Sequence, residues 1–391
     1  MKQVKQILLF SFSQVLFGCR ESYTPALNLP ATNFLVAEGF INNSGGATTI
    51  TLTRTTNLTS KTNLVYETGA NVRVEGKLNT IGFQLTETGR GVYTIPQLTL
   101  NAVDQYRIHI KTQAGKEYIS DYSATRSTPD IDSVSWRREN GGLQIYANTH
   151  DPQAKTKYYQ FKYDETWEFH SQYTTSIKPI FSSQGNIINI AYRDSVTLGY
   201  DSTLYKCWKS ATLTDVLIAT SEKLTQDVIY LQPLVYIPMN DWKTSVLYSI
   251  NVKEYALSHE AYQFYAQLKK NTEQLGTTFD QQPTDNAGNL HCITDPAEPV
   301  VGFIEVTQEK QQRIFISSKQ VPDWLYSSGC APETPVPNTT NSLTMAGALG
   351  LTPTNAAEFT LTGAISKVGF AEIGCVDCRS RGINTKPSFW P

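Results

Sequence analysis

Short runs in which apolar and polar residues alternate recur along most of this chain. In residues 48–53 and 70–76 almost every second residue is apolar, and turn-forming residues such as those at 43–46 separate one run from the next. Successive side chains of a strand point to opposite faces, so each run forms a strand with one buried face and one wet face. This pattern restricts the chain to a mainly β fold.

The spacing of these runs divides the chain into two domains. Its 391 residues exceed the roughly 250–300 that a single core accommodates. Short strands within residues 33–126 predict an immunoglobulin-like β-sandwich, although this stretch has no cysteine and therefore lacks an antibody-type disulfide. Residues 127–391 predict a larger, sandwich-like β-rich domain with long loops. Its segments 171–206 and 331–345 are irregular, and we expect them to carry recognition.

One helix is predicted near residues 259–275. Ser258 is a suitable N-cap for it, and Gly276 is a suitable end. Apolar residues follow Ser258 at helical spacing and fall on one face, namely Ala261, Phe264, Tyr265, Leu268 and Leu275. The sequence therefore predicts an amphipathic helix within the second domain.

The N-terminus has the pattern of a lipoprotein signal peptide. Lys2 and Lys5 precede an apolar stretch over residues 7–17, and the Leu-Phe-Gly-Cys sequence that ends at Cys19 forms a cleavage box. The small Gly18 lets the peptidase approach, and the Cys19 thiol takes the diacylglycerol. The alternatives are a buried N-terminal strand or a short signal anchor, but the apolar stretch is too short to span a bilayer as a helix.

Residues 1–18 are therefore predicted to be removed, and Cys19 is predicted to carry the lipid. Residues 19–32 show no periodicity and predict a tether. No other segment approaches about 18 consecutive apolar residues, so we expect the mature chain to be held at the membrane through its N-terminal lipid.

The remaining cysteines are Cys207, Cys292, Cys330, Cys375 and Cys378. Export makes disulfides permissible. The close pair Cys375 and Cys378 has the spacing of a redox motif or half a zinc site, but it lies near the C-terminus and no second close pair is present. Structural disulfides are the favoured interpretation. Five thiols leave one without a partner, and Cys292 is the candidate.

The bulk charge and the short motifs argue against several classes of function. A formal net charge of −2 provides no basic surface for nucleic acid or for anionic lipid. A Gly-x-Ser-x-Gly nucleophile turn and a phosphate-binding loop are both missing from the sequence. We therefore predict no enzymatic activity, no cofactor and no metal.

Two groups of residues are nevertheless candidates for chemistry. Asp164, Glu165 and Glu168 surround Trp167, as in a site for sugar binding or acid–base catalysis. Because nothing in the sequence distinguishes an acid from a base among them, charges on the wet side of a strand with the tryptophan in the core are the simpler interpretation. The five histidines, at positions 109, 150, 170, 259 and 291, lack the spacing of a zinc site.

Several stretches resemble a known family in their order and spacing. They include VAEGFI at 36–41, GKEYIS at 115–120 and LSHEAY at 257–262. The others are Cys19 with Glu21 and Pro25, 91–93, 131–134, Tyr158 and Tyr159, 165–168, Cys207 and Trp208, 248–250, Gly288 and Asn289, 299–303, 313–316, and Cys375 and Cys378 with 387–390. The chain resembles an uncharacterised lipoprotein family of Bacteroidota, the domain of unknown function 4249.

This resemblance implies where the protein is located and what it binds, but it implies no catalytic activity. Members of the family resemble partners of TonB-dependent outer-membrane transporters, and the family carries no established catalytic residues. Its recurring cysteines match Cys207, Cys330, Cys375 and Cys378, which agrees with an unpaired Cys292. We therefore expect Cys375 and Cys378 to tie the C-terminal tail to Cys207 and Cys330, in an order that remains open.

The expected function is that of a lipid-anchored outer-membrane protein that faces the cell surface. It assists a TonB-dependent transporter in capturing a nutrient whose class the sequence does not give. A surface adhesion or matrix-binding lipoprotein is the alternative, and a hydrolase on a β scaffold is the least favoured. Segments 171–206 and 331–345 are the expected contacts, and deletion of 334–342 is expected to leave folding nearly intact.

Overall fold

The computed structural model describes residues 33–55, 64–79, 82–194, 196–213, 215–273 and 288–391. The predicted signal peptide, Cys19 and the tether lie outside these residues. Within them the chain forms 24 strands and only four α-helices. The predicted mainly β fold is confirmed.

The strands, in chain order, are β1 (Leu35–Asn42), β2 (Thr48–Arg54), β3 (Val65–Tyr66), β4 (Asn71–Gly76), β5 (Gly82–Gly89), β6 (Val92–Ile95), β7 (Gln105–Lys111), β8 (Glu117–Ser120), β9 (Ser123–Ala124), β10 (Ile131–Glu139), β11 (Gly142–His150), β12 (Tyr158–His170), β13 (Ile177–Phe181), β14 (Ile187–Tyr192), β15 (Lys206–Thr212), β16 (Leu217–Thr220), β17 (Val228–Pro238), β18 (Leu247–Ala256), β19 (Leu290–Cys292), β20 (Val306–Thr307), β21 (Lys310–Ser317), β22 (Thr334–Pro337), β23 (Leu351–Phe359) and β24 (Ile365–Glu372). The α-helices are α1 (Ser202–Tyr205), α2 (His259–Glu273), α3 (Thr340–Ala348) and α4 (Ile373–Val376).

The first domain is a single curled sheet with the strand order β19-β8-β7-β4-β5-β6-β2-β1-β20. Strand β5 pairs with β4 through its first half and with β6 through its second half. Because one strand belongs to both halves, the sheet folds over its own core, where Ile50, Val72 and Ile108 are fully buried. The two faces expected of a sandwich are therefore parts of one continuous sheet.

The chain returns to this first sheet late in the sequence. Strand β19 pairs with β8, and β20 runs parallel to β1. Between them Val300 and Ile304 enter the first core. The sequence placed these residues in the second domain, but the free edges of β1 and β8 need backbone partners, and this segment supplies them.

Two facing sheets form the second domain. One has the order β10-β11-β17, and the other has the order β15-β12-β18-β21, with β16 also paired to β12. The core between them includes the fully buried side chains of Ile145, Phe161, Tyr248 and Ile250. The alternation of apolar residues along β11 and β18 is what directs these side chains inward.

A glutamate is buried inside this second core. Glu254 is fully buried; its Oε1 accepts a hydrogen bond from the Thr149 hydroxyl at 2.9 Å, and its Oε2 has no partner among the described residues. Burial, together with the nearby carboxylates of Asp130, Asp132 and Asp227, raises the pKa of Glu254 to about 8.

This carboxyl should make the protein less stable as pH rises. In the folded protein Glu254 keeps its proton up to about pH 8, whereas in the unfolded chain it loses the proton near its ordinary value of 4.5. The free energy of unfolding should therefore fall between those two pH values, by at most about 1.4 kcal/mol per pH unit. We expect Glu254→Gln to reduce the drop in melting temperature between pH 5.5 and pH 8.5.

The matched control for this prediction is Glu372→Gln, which neutralises an exposed carboxylate at the end of β24. This variant should follow the pH dependence of the parent. Parallel melting curves for parent and Glu254→Gln across the whole pH range would contradict the prediction.

Helix α2 joins the two domains and confirms the predicted helix. The backbone N–H of Ala261 donates to the Ser258 hydroxyl at 3.0 Å, as expected of an N-cap. Its buried face carries Phe264 and Tyr265, which pack in one cluster with Phe40 of the first domain. The predicted end of the helix, at Gly276, lies outside the described residues. No helix in the described ranges is long and apolar enough to cross a bilayer.

Candidate functional site

The two segments predicted as recognition loops form one small folded unit. The hairpin of β13 and β14 comes from the first segment, and β22 and α3 come from the second. They pack with β23 and β24, and β22 joins these two strands in a separate sheet with the order β22-β24-β23. The buried core of this unit consists of Ile177, Ile187, Val336, Leu343, Ala346, Val368 and Phe370. We call residues 171–205 and 330–376 the C-terminal module.

Polar contacts hold the two halves of the C-terminal module together. The Thr344 hydroxyl donates to the Ile187 carbonyl at 2.9 Å. The Ser176 hydroxyl donates to the Asn355 side chain at 2.8 Å, and the Tyr173 hydroxyl donates to the Ala331 carbonyl at 2.8 Å. Since each bond joins residues more than 150 positions apart, the segments are not independent loops.

Two disulfides fix the C-terminal module. Cys330 is bonded to Cys375 within the module, and Cys207 is bonded to Cys378, which ties the module to β15 of the second domain. The prediction that the close pair is joined to two distant cysteines is confirmed, and the structure supplies the order. Among the cysteines of the described residues, Cys292 is the one without a disulfide, and it is buried in β19 of the first sheet.

The tail beyond the disulfides lies against the second domain. Ile383 forms two backbone hydrogen bonds with Trp208, at 2.8 and 2.9 Å. The Trp390 indole N–H donates to the Glu168 carboxylate at 3.0 Å, and the Arg313 guanidinium lies 3.7 Å from the centre of the Phe389 ring. The C-terminal tail is therefore packed against the second domain.

Large apolar side chains project from the C-terminal module into solvent. Leu361 is fully exposed at the turn between β23 and β24, and Phe359 beside it is 57% exposed. Phe181, at the end of β13, is also 57% exposed, and Met345 and Leu349 at α3 are 68% and 73% exposed. Exposed apolar side chains are typical of a protein-binding surface where they lie together.

The carboxylates near Trp167 are divided between the two faces of β12. Glu165 lies in the core, 2.8 Å from the Lys243 amine, and accepts a hydrogen bond from the Tyr248 hydroxyl at 2.7 Å. Glu168 lies on the opposite face. Burial disfavours its charge, but hydrogen bonds from His170, Lys206 and Trp390 hold the pKa of Glu168 below its ordinary value. The carboxylates of Glu165 and Glu168 are therefore both engaged in contacts that stabilise the fold.

The histidines lie apart from one another and contact separate residues. His109 contacts Glu75 at 2.8 Å, and His150 contacts Asp132 at 2.8 Å. The other pairs are His170 with Glu168, His259 with Tyr158, and His291 with Asp121. In the part of the chain that the structure describes, no group of three or more His, Cys, Asp or Glu residues could hold a metal ion.

A cavity of about 960 Å³ lies at the domain junction, between α2 and the first sheet. Glu305 lines it and is almost fully buried, which raises the pKa of this carboxyl. The carboxylate lies 3.5 Å from the Arg126 guanidinium and accepts hydrogen bonds from the Ser258 N–H. These contacts of Glu305 join helix α2 to the first sheet.

Helix α3 is an element that the sequence interpretation missed. Thr339 caps it, since the Ser342 N–H donates to the Thr339 hydroxyl at 3.4 Å, and Leu343 and Ala346 form its buried face. An N-cap residue followed by apolar residues three apart, with Gly350 beyond the end, is the signal that could have located it.

The sheets and the disulfides define a multi-domain β protein, and its C-terminal module carries exposed apolar side chains. The chain belongs to a family described as Domain of unknown function (DUF4249), whose model matches residues 20–313. The family resemblance found in the sequence is thereby confirmed over that range, which includes Cys207 but ends before Cys330. No curated protein matches the chain.

Proposed function

We propose that this protein is an outer-membrane lipoprotein that assists a TonB-dependent transporter by binding and not by catalysis. The observation that carries the proposal is the set of exposed apolar side chains on the C-terminal module, led by Leu361 and Phe359. The lipoprotein box at the N-terminus and the membership in the family support it.

The C-terminal module has the properties that a docking unit needs. Its buried core and the disulfide Cys330–Cys375 hold the hairpins in a fixed arrangement. A rigid unit loses little conformational entropy when it binds, so its exposed apolar area contributes more fully to affinity. The partner surface it fits is apolar with a polar rim, such as the outward-facing loops of a transporter.

The first prediction of this proposal concerns the membrane anchor. Cys19→Ala removes the thiol that accepts the lipid, so the variant should accumulate as uncleaved precursor or as soluble protein. Membrane fractionation followed by immunoblotting measures this result. Cys292→Ser is the control, because Cys292 forms no disulfide and lies outside the cleavage box, so this change should leave the fractionation unchanged. Parent-like recovery of Cys19→Ala with the outer membrane would refute the lipid assignment.

The second prediction concerns the partner. A tagged chain purified from detergent-solubilised outer membrane should bring a TonB-dependent transporter with it. The double variant Phe359→Ser/Leu361→Ser should reduce recovery of that transporter about tenfold or more, because each exposed side chain removed costs about 1–2 kcal/mol of apolar contact. Folding should be unaffected, because both residues are exposed.

The control for this prediction is Val103→Ser. Val103 is 79% exposed, but it lies between β6 and β7 of the first domain, away from the C-terminal module. This variant should retain the transporter like the parent. Recovery of no transporter with the parent chain would contradict the proposal, as would an equal loss with both variants.

A further inference from the structure

A second exposed surface lies on the outer face of the sheet β10-β11-β17. Leu143, Ile145 and Ala147 of β11 point into the core, so the alternate residues of this strand point outward. Two tyrosines of β17 are exposed to solvent here, Tyr230 at 71% and Tyr236 at 41%. Tyrosine rings at such exposure leave their apolar faces open to a ligand.

Polar contacts hold these rings in fixed positions. The Arg137 guanidinium donates to the Tyr230 hydroxyl at 3.4 Å and lies 5.9 Å from the centre of the Tyr146 ring. The Tyr146 hydroxyl donates to the Glu139 carboxylate at 2.8 Å. The Tyr236 hydroxyl donates to the Asn140 carbonyl at 2.7 Å. The rings are therefore oriented before any ligand arrives.

The strand register places further hydrogen-bonding groups beside the rings. Gln144 lies between Arg137 on β10 and Tyr236 on β17, so a guanidinium, an amide and a phenol form one row across the sheet. Arg137 and Glu139 carry opposite charges that offset each other. We call Arg137, Glu139, Gln144, Tyr146, Tyr230 and Tyr236 the tyrosine face.

We propose that the tyrosine face binds a neutral oligosaccharide. The C–H groups on one side of a sugar ring form an apolar patch that stacks on the electron-rich face of an aromatic ring. The sugar hydroxyls both donate and accept hydrogen bonds, which matches a surface carrying a guanidinium, a carboxylate and an amide. The offset charges of Arg137 and Glu139 complement a neutral ligand rather than an anionic polymer or lipid headgroup.

This surface is separate from the proposed transporter contact. The tyrosine face lies on β10, β11 and β17, whereas the C-terminal module is built on β22, β23 and β24. The two proposals can therefore fail separately. The protein could bind a transporter without binding sugar, or bind sugar without binding a transporter.

The test is isothermal titration of the full chain in detergent with maltoheptaose, cellohexaose and xylohexaose, and with anionic oligogalacturonate as a comparison. We expect at least one neutral oligosaccharide to bind. Tyr230→Ala and Tyr236→Ala should each weaken that binding about three- to tenfold. Tyr230→Phe, which keeps the ring, should retain most of the affinity.

Tyr200→Ala is the matched control, because Tyr200 is 53% exposed but lies outside the tyrosine face. It should leave binding unchanged. The proposal is overturned if none of the neutral oligosaccharides binds, if only the oligogalacturonate binds, or if the alanine variants at 230 and 236 bind as well as the parent.

Discussion

Removal of the Cys207–Cys378 disulfide is expected to lower the free energy of unfolding by about 3–5 kcal/mol. The bond links residues 171 positions apart, and both of its cysteines are fully buried. Closing so long a loop removes much of the conformational freedom of the unfolded chain, so opening the loop restores that freedom and favours unfolding. The double variant Cys207→Ala/Cys378→Ala removes the bond without leaving a free thiol, and urea denaturation measures the change.

The second disulfide provides a comparison. Cys330 and Cys375 are 45 positions apart, so Cys330→Ala/Cys375→Ala should cost less, about 2–4 kcal/mol. Cys292→Ala is the control for loss of a buried thiol without loss of a bond, and it should cost about 1 kcal/mol. If both double variants unfold at the urea concentration of the parent, the disulfides do not stabilise the fold as described.

Deletion of residues 334–342 is expected to unfold the C-terminal module. The deletion removes β22, the buried Val336 and the Thr339 cap of α3. Loss of one buried valine and one helix cap alone costs about 2–5 kcal/mol, before the backbone bonds to β24 are counted. Hydrogen exchange should show lost protection in β13, β14 and β24, with protection retained in the first sheet.

The control for this deletion is Leu361→Ser, which changes an exposed turn residue of the same module and should leave its exchange unchanged. Parent-like protection of β13 and β14 in the deletion variant would contradict the description of the module. The sequence interpretation expected the deletion to be nearly neutral, and the packing of Val336 and α3 is the reason for the reversal.

The parts of the fold with regular patterns were predictable from the sequence. The apolar spacing from Ala261 to Leu268 predicted α2, and the alternation around Ile50 and Leu52 predicted β2. These patterns arise because one face of each element packs on a core while the other meets water. Each can therefore be found without knowledge of the partner element.

Three strands that the sequence interpretation missed lack such patterns. Strand β22 contains Pro335 and Pro337, and two prolines in so short a stretch are typical of a loop. Proline has no N–H to donate, but β22 is an edge strand, where that donor is dispensable. Strands β19 and β20 have three and two residues, too few for a period to show, and only the open edges of the first sheet identify their partners.

The sequence predicted which segments contribute to the C-terminal module, but it did not predict that they fold into one unit. Segments 171–206 and 331–345 were expected to carry contacts, yet nothing local in either segment shows that Ile187 packs with Leu343 in one core. Leu361 is likewise exposed at the turn between β23 and β24, two strands that are joined by β22 from a separate part of the chain. Contacts between distant segments are fixed by tertiary packing, which local patterns do not encode.

Crosslinking in living cells tests most directly whether the C-terminal module contacts an outer-membrane transporter. A photo-reactive amino acid would replace Leu361, or Val103 as the control, in the full chain. We predict a crosslink from position 361 to one TonB-dependent transporter and none from position 103. Absence of a crosslink from position 361, or the same products from both positions, would contradict the account.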